Sequence, residues 1–263
     1  MMGAVLDPAG LIASKELSVL TDAFWLMLIT AIAVFALTIF FAYWYRASNK
    51  KAVYLPDWQH GALSELVWWA IPFEIVLVLG ALLVNSTHAL DPREPIASSE
   101  PALTVQTVAL PGKWLFIYPD YGIATAGVLY LPVDRPVAFS ITADAPMNSL
   151  WIPALGGQIY AMTGMETKLN LMAEREGDYR GGSANYSGEG FAQMAFMTHV
   201  LSATDFARWA ASAKKEPPLT EARYEALRAL DATVPRTYGA VADNLFESII
   251  ITYMSPESPW HTH

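Results

Sequence analysis

Residues 24–45 form an uncharged apolar run, and this run constrains the fold of the chain more than any other feature. A helix of this length would measure about 33 Å at 1.5 Å per residue, enough to cross a hydrocarbon core of about 30 Å. Trp25 lies near one end of the run and Tyr43, Trp44 and Tyr45 lie at the other, as aromatic residues do at membrane interfaces. The alternative is a buried core helix, but core helices seldom stay uncharged for about six turns. The run therefore predicts a transmembrane helix.

A second apolar run at residues 66–84 predicts another span, so that residues 24–87 would form a transmembrane hairpin. Pro72 falls in the first two turns of this run, where a missing amide donor is best tolerated. The one charged residue is Glu74, and a carboxylate near the middle of a bilayer costs about 2.5–3.5 kcal/mol on insertion scales. Glu74 could act as a proton relay or form a packing hydrogen bond to a neighbouring chain. Both interpretations require a protein partner beside the helix.

The distribution of basic residues predicts the orientation of the two spans. Arg46, Lys50 and Lys51 follow the first span closely, whereas the N-terminal tail of residues 1–23 has Lys15 as its only basic residue. Basic residues concentrate in cytoplasmic loops. We therefore expect the short loop between the spans in the cytoplasm, and the N-terminal tail and the C-terminal part on the outer face.

The sequence after the second span changes to a linker and then to short strands. Residues 88–102 are rich in proline and serine, and residues 103–201 contain several strand-like segments. Residues 137–141, for example, alternate apolar with small or polar side chains, the period of a half-buried strand. We expect an antiparallel β-sandwich at 103–201, with the Gly-Gly pairs at 156–157 and 181–182 supplying turns.

Residues 202–263 change to a helical period. Ser202 can cap a first helix, in which apolar residues recur at i, i+3 and i+4, and Thr220 can cap a second. Apolar residues at 245–253 indicate a third helix. These helices should pack on the sandwich or on a neighbouring subunit.

The composition excludes several functions. The formal net charge of −9 argues against a nucleic-acid binder, which would present a basic face to the phosphates. The absence of cysteine excludes disulfides, thiolate metal sites and thiol nucleophiles. No catalytic motif is found, and the five histidines are scattered along the chain: His60, His88, His199, His261 and His263.

Two segments of the sandwich region, Asn148-Ser-Leu-Trp151 and residues 183–194, resemble the copper-binding segments of subunit II of haem–copper terminal oxidases. In the cytochrome c oxidase branch of that family, a cupredoxin domain binds two coppers through a His-Ser-Trp segment and a Cys-x-Glu-x-Cys-x-x-x-His-x-x-Met loop. The first segment is similar to Asn148-Ser-Leu-Trp151 here, and the second is similar to residues 183–194. Of the six ligand positions, only the last keeps its ligand: Asn148, Ser183, Asn185, Ser187 and Phe191 replace the others, and Met194 remains.

Serine hydroxyls cannot replace bridging thiolates as copper ligands, and a phenyl ring has no lone pair to offer. The copper-less pattern resembles subunit II of haem–copper quinol oxidases, the bo-type ubiquinol oxidases in particular. Stretches at 45–54, 87–92, 116–125 and 156–169 resemble the same branch, so that the resemblance covers nearly the whole chain. It implies a two-helix hairpin followed by a cupredoxin-like sandwich with C-terminal helices.

The resemblance also implies a function. The chain would be a non-catalytic subunit of a proton-translocating ubiquinol oxidase in a bacterial inner membrane, with its C-terminal domain on the periplasmic side. Haems and copper would be held by subunit I, this chain would bind no cofactor, and its partners would be subunit I, the other membrane subunits and the lipid bilayer. Ubiquinol would be the substrate of the complex. In the family, a glutamate just before the second helix stands at the cytoplasmic entrance of a proton channel, and Glu65 matches it here.

Other interpretations remain open from the sequence. Glu65 could instead be an acidic residue at a helix N-terminus, where the helix dipole favours it. The chain as a whole could be a degenerate cytochrome c oxidase subunit II, which the lost ligands disfavour. It could also be a membrane-tethered cupredoxin-like binding or assembly module that works without an oxidase.

Overall fold

The chain divides into two compact units, one made of Leu17–Leu90 and the other of Met1–Glu16 together with Asp91–His263. The structure is a computed structural model and describes residues 2–53, 61–230 and 234–254. Of the histidines considered above, His60, His261 and His263 lie outside the described residues.

Two long helices supply the first unit. Helix α2 (Leu11–Trp44) starts well before the uncharged run, and helix α3 (Ala62–Ala89) includes the whole of the second run together with Pro72. Both are long and apolar enough to cross a membrane, and none of the most apolar part of either helix is buried within the chain. A core helix of a soluble protein would be mostly buried. The exposed apolar surface therefore supports two membrane spans.

The second unit is a β-sandwich with helices packed on it. The strands are β1 (Leu103–Leu110), β2 (Lys113–Tyr118), β3 (Ile123–Ala126), β4 (Val128–Pro132), β5 (Pro136–Ala143), β6 (Asn148–Ile152), β7 (Gly156–Ala161), β8 (Thr167–Met172), β9 (Gly177–Ser183), β10 (Phe196–Leu201) and β11 (Arg236–Tyr238). The six-stranded sheet has the order β11-β3-β2-β1-β5-β8, and the five-stranded sheet has the order β4-β10-β9-β6-β7. The predicted sandwich is confirmed.

The sheets are mixed rather than wholly antiparallel, which corrects the expectation from the sequence. β1 pairs with β5 in parallel, and β4 pairs with β10 in parallel, while the other neighbouring strands are antiparallel. Each parallel pair joins strands far apart in the chain, with strands of both sheets between them. Alternation along one strand carries no information about such a pairing.

The two Gly-Gly pairs are not the turns that the sequence predicts. Gly156 and Gly157 begin β7, and Gly181 and Gly182 lie inside β9. A Cβ atom added at Gly181 would come within 2.3 Å of the ring of Phe196, and one at Gly156 within 2.7 Å of Leu171 Cδ2. These glycines therefore allow close packing between strands and side chains, which the sequence pattern cannot distinguish from a turn.

Strand β2 is buried on both faces and connects two apolar clusters. Trp114, Phe116 and Tyr118 belong to the core between the sheets, whereas Leu115 and Ile117 face a second cluster under the C-terminal helices. The period of two along one strand thus packs the two sheets together on one face and, on the other, packs the helical segments that contain Tyr224 and Phe246 onto the outer side of the six-stranded sheet.

The predicted C-terminal helices are confirmed, and they pack on the sandwich. They are α4 (Ala203–Ala213), α5 (Glu221–Arg228) and α6 (Leu245–Met254). Ser202 caps α4 by accepting the Asp205 N–H (3.1 Å), and Thr220 caps α5 by accepting the Arg223 N–H (3.4 Å). Apolar residues of all three helices are buried in the two clusters.

The N-terminal segment also packs on the sandwich. Helix α1 (Met2–Leu6) precedes it, and the backbone N–H groups of Ala9 and Ala13 donate to the carbonyls of Ala154 (2.7 Å) and Leu155 (3.1 Å). The start of α2 therefore belongs to the sandwich unit. The chain segments before the first span and after the second meet in one unit, as the predicted orientation requires.

Candidate functional site

Asn148 and Ser183 lie side by side where β6 begins and β9 ends. Asn148 is almost fully buried (1% exposed), and its side-chain Nδ2 donates to the Pro146 carbonyl (2.7 Å). The Ser183 hydroxyl lies 3.0 Å from Asn148 Oδ1 and 3.0 Å from the Asn185 carbonyl oxygen, both of which are acceptors. The two positions that the resemblance assigns to copper ligands are thus joined directly by a hydrogen bond.

The loop after β9 is held to the start of β6 by a second set of contacts. Asn185 Nδ2 lies 3.3 Å from the Met147 carbonyl, and the Ala184 N–H donates to the Ser149 carbonyl (3.0 Å). Ser187 is half-buried in the same loop, and its side chain forms no hydrogen bond among the described residues. The loop conformation is therefore supported by amide and hydroxyl groups at Asn148, Ser183 and Asn185.

Phe191 and Met194 are the first residue and the C-cap of a short 3-10 helix (Phe191–Gln193) at the far end of the loop. The Phe191 ring lies edge-on to Tyr186 with 5.4 Å between the ring centroids. The Met194 N–H donates to the Phe191 carbonyl (3.1 Å), and the Met194 side chain is buried in the core between the sheets (1% exposed). Both side chains pack against apolar surroundings.

The donor set at these positions does not suit copper. It consists of carboxamides, hydroxyls, a phenyl ring and one thioether, whereas copper centres in cupredoxin domains depend on thiolate and imidazole ligands. Among the described residues, no group of three or more His, Cys, Asp or Glu side chains could hold a metal ion. Of the six positions, Asn148, Ser183 and Asn185 form hydrogen bonds, and the Met194 side chain packs in the core.

Glu65 lies in the first turn of α3. Its backbone N–H donates to the carbonyl of Gly61, the N-cap residue (2.8 Å), and its side chain is half-buried. A carboxylate at this position is favoured by the helix dipole by about 0.3–1 kcal/mol, whatever further role it has. Glu74 lies farther along the same helix and is exposed amid apolar side chains. The helix therefore presents one carboxylate at its end and one within its apolar part.

The structure also shows a polar cluster around Asp144 that the sequence did not reveal. Asp144 is buried at the end of β5, where it accepts hydrogen bonds from the hydroxyls of Tyr224 (2.5 Å) and Tyr253 and forms an ion pair with Arg228 (2.8 Å). Burial and the Asp144 carboxylate raise the pKa of Tyr224. Because the partners lie 80 or more positions from Asp144, no local pattern could have identified them. The cluster attaches α5 and α6 to the sandwich.

Comparison with known proteins gives a consistent result, although no family model matches the chain. The chain is 44% identical over 251 residues to cytochrome bo(3) ubiquinol oxidase subunit 2 of Pseudomonas putida, and the matched region covers 95% of this chain and 80% of the relative. It is 40% identical over 253 residues to ubiquinol oxidase subunit 2 of Acetobacter aceti, and the matched region covers 95% of this chain and 82% of that relative. A solved periplasmic domain of cytochrome oxidase subunit II from Bradyrhizobium japonicum is 22% identical, covers 45% of this chain and 98% of that domain, and gives a TM-score of 0.42.

The sequence relatives define the class of the protein, since at this identity and coverage they share a common fold and architecture. The chain is a membrane subunit of a quinol oxidase. It belongs to the family of ubiquinol oxidase subunit 2.

Proposed function

We propose that this chain is a non-catalytic subunit of a proton-translocating ubiquinol oxidase complex in the aerobic respiratory chain. Electron transfer from ubiquinol to oxygen would take place on haems and copper in subunit I, and this chain would hold neither. The observation that carries the proposal is the donor set at the six copper-ligand positions, where Asn148, Ser183 and Asn185 form hydrogen bonds instead. An electron relay through this domain would need ligands that the chain does not contain.

The exposed apolar helices support membrane partners for the chain. Their large side chains would lie against lipid or against subunit I and the other membrane subunits, because water would disfavour so much apolar surface. Arg46, Lys50 and Lys51 support a cytoplasmic loop between the spans. The sandwich would then lie on the periplasmic side of a bacterial inner membrane.

We further propose that Glu65 stands at the cytoplasmic entrance of a proton path into subunit I. Its place in the first turn of α3 supports this role, because that turn follows the loop expected in the cytoplasm. A half-buried carboxylate there can take a proton from water and release it to a neighbouring group. The other interpretation, stabilisation of the helix end alone, predicts no effect on turnover.

Purification of the complex tests the first proposal. The chain should co-purify with haem-bearing subunits, and the metal content assigned to this chain alone should include no stoichiometric copper. If the chain is recovered without any haem-bearing subunit, it is instead a membrane-tethered binding or assembly module. Stoichiometric copper in the isolated chain would contradict the interpretation of the six positions.

Substitution of Glu65 tests the second proposal. Glu65→Gln keeps the shape of the side chain but removes the titrating group, so oxidase turnover should fall by about tenfold or more while assembly and haem content stay normal. Glu94→Gln makes the same change at an exposed residue of the linker and should leave turnover unchanged. Full turnover in Glu65→Gln would contradict a role in proton entry and would mean that Glu65 only stabilises the helix end.

A further inference from the structure

An open groove runs along the sandwich between strands β4 and β10 on one side and the α5–β11 region on the other. Its larger part is a cavity of about 610 Å³. Tyr130 and His199 line one side of this cavity, and Arg223 and Arg236 line the other. A second cavity of about 430 Å³ continues along β9 and β10 to Arg180 and Met197, and the two share Val128, His199 and Pro235 as walls. We call this continuous feature the arginine groove, after Arg180, Arg223 and Arg236.

The arginine groove concentrates positive charge in an acidic chain. Arg180 and Arg236 form no ion pair or side-chain hydrogen bond within the part of the chain that the structure describes. Arg223 Nη1 donates to the Pro218 carbonyl (2.6 Å), which holds one end of its guanidinium in place. Among the described residues that line the two cavities, Glu216 is the one acidic residue, and Asp178 lies just beside the lining, where its carboxylate is 2.5 Å from His199 Nδ1. The chain as a whole carries a net charge of −9.

The floor of the groove is rigid and already formed. On neighbouring strands, Arg180 pairs with Met197 and Met197 pairs with Val128, which places a cationic and two apolar side chains in one row across the sheet. In the next row, the Tyr130 ring stacks on His199 (5.0 Å between centroids) and on Trp209 (4.3 Å). A ligand would therefore find its contact groups in position, which lowers the entropic cost of binding.

The edge of β4 beside the groove is closed to strand addition. The Tyr118 hydroxyl accepts the Tyr130 N–H (2.9 Å) and donates to the Tyr130 carbonyl (3.1 Å), and Thr125 Oγ1 donates to the Val128 carbonyl (2.6 Å). Burial raises the pKa of Tyr118, so that its hydroxyl keeps the proton that it donates. Pairing with β4 is consequently excluded as a way of recognising a partner, which leaves contacts to the side chains of the groove on this side.

We propose that the arginine groove holds an extended acidic segment of another subunit of the oxidase. The guanidiniums at its two ends suit Asp or Glu side chains, and the apolar surface between them, including Met197 (40% exposed), suits an apolar side chain. A single small anion would engage one end and leave the apolar row and the far arginine without contacts. The inference rests on the proposal that the chain assembles with other oxidase subunits.

Photo-cross-linking in the purified oxidase complex tests this inference. Ala226 is exposed on α5 and lines the groove, so a photoreactive phenylalanine analogue in its place would react with an occupant. We expect a cross-link to a peptide of another subunit that carries two or more Asp or Glu residues within a few positions. The double substitution Arg223→Glu and Arg236→Glu should lower the yield at least about fivefold, since attraction becomes repulsion at both positions.

Lys168 supplies the control, because it is exposed on β8, at the opposite edge of the six-stranded sheet from β11. Lys168→Glu reverses one charge, as Arg180→Glu does and as each substitution of the double variant does, and should leave the cross-linking yield at Ala226 unchanged. Arg180→Glu, on a strand away from the C-terminal segment, should also lower the yield and gives a second test if the double variant fails to assemble.

Three outcomes would overturn the inference in an assembled complex: no cross-link above that of the analogue placed at Lys168, a cross-link to lipid or to a peptide without acidic residues, or a yield that charge reversal does not change. Assembly is measured separately by haem content. If the unsubstituted chain does not assemble with haem-bearing subunits, the proposed function is contradicted. If the complex is intact but the cross-link is missing, only the proposal of an acidic segment is contradicted.

Discussion

The same type of residue has opposite surroundings in the two units of the chain. Phe116 in the sandwich is completely buried and packs edge-on against Phe196 (5.0 Å between centroids), whereas Phe35 in α2 is 69% exposed. The sandwich thus provides its own apolar environment, and the helices depend on one supplied from outside. A unit of the first kind is held by its core, and a unit of the second kind is held by lipid and partner subunits.

Charged groups show the same difference. In the sandwich, Lys113 is buried and its ammonium donates to the carbonyls of Leu227 (3.3 Å) and Ala229 (2.5 Å), and Asp144 is bonded to Arg228 and two tyrosines. In α3, Glu74 is exposed among apolar side chains. The sandwich satisfies its buried charges with its own groups, whereas a carboxylate in the middle of a span is expected to find its partner outside the chain.

Protease digestion of intact spheroplasts should separate the two sides of the membrane completely. Trypsin should cleave at Arg93, which is exposed in the linker, and should spare Lys50 and Lys51, which are exposed in the loop between the spans. Lysed membranes should be cut at all three residues, which serves as the control and is read by mass spectrometry. Cleavage at Lys50 in intact spheroplasts would show that the orientation is opposite to the predicted one, and would contradict the proposed role of Glu65 at the cytoplasmic side.

Truncation of one phenylalanine in each unit should have very different effects on the sandwich. Phe116→Ala leaves a cavity in a closed core and should lower the free energy of unfolding of the sandwich by about 3–5 kcal/mol. Phe35→Ala removes an exposed side chain and should leave that unfolding transition unchanged. Both variants are compared as the full chain in detergent, by thermal denaturation followed in the near-ultraviolet circular dichroism. Equal losses in the two variants would contradict the independence of the sandwich core.

Asp144→Asn tests whether the sandwich depends on the pairing of its buried charge. The carboxamide keeps the shape of the side chain but removes the buried one of the two counter-ions of Arg228, the other being Glu225 (2.9 Å). It also weakens the bonds from Tyr224 and Tyr253, so we expect a loss of about 2 kcal/mol in stability. Asp134→Asn is the matched control. Asp134 is exposed and has a positive φ of 57°, which asparagine also adopts readily, so denaturation should not change.

The features predicted correctly from the sequence are those with local causes. The apolar runs gave the two long helices, and the caps Ser202 and Thr220 lie within three residues of the N–H groups that they accept. The start of α2 at Leu11 was not predicted, because its first turn is held by carbonyls of residues 154–155. Local sequence patterns indicate only those features that are stabilised by interactions between residues close in sequence.

The features that sequence reasoning missed depend on contacts between distant residues. The parallel pairing of β1 with β5, the role of Gly181 beside Phe196 and the cluster of Asp144 with Arg228 each join positions separated by many residues. The six ligand positions came from a resemblance, and the structure adds that three of them are connected by hydrogen bonds. Neither periodicity nor spacing could have shown that connection.

The loop after β9 is held to the start of β6 by hydrogen bonds, and the smallest expected effect tests them. Ser183→Ala removes the hydroxyl between Asn148 Oδ1 and the Asn185 carbonyl and should lower stability by about 1 kcal/mol, which corresponds to a shift in Tm of roughly 2–4 °C. Ser187→Ala makes the same change at a residue whose side chain has no hydrogen bond among the described residues, and Tm should stay unchanged.

Hydrogen exchange distinguishes a local effect of Ser183→Ala from a general one. If the hydroxyl fixes the loop, amide exchange should quicken at residues 183–187 and remain slow in β2, whose backbone lies in the centre of the six-stranded sheet. Quickening throughout the sandwich would mean that Ser183 supports the fold as a whole. Unchanged exchange in the loop would mean that packing at Phe191 and Met194 holds it, rather than the hydrogen bonds. Packing would then be the reason that the loop keeps the length of the copper-binding pattern without the ligands of that pattern.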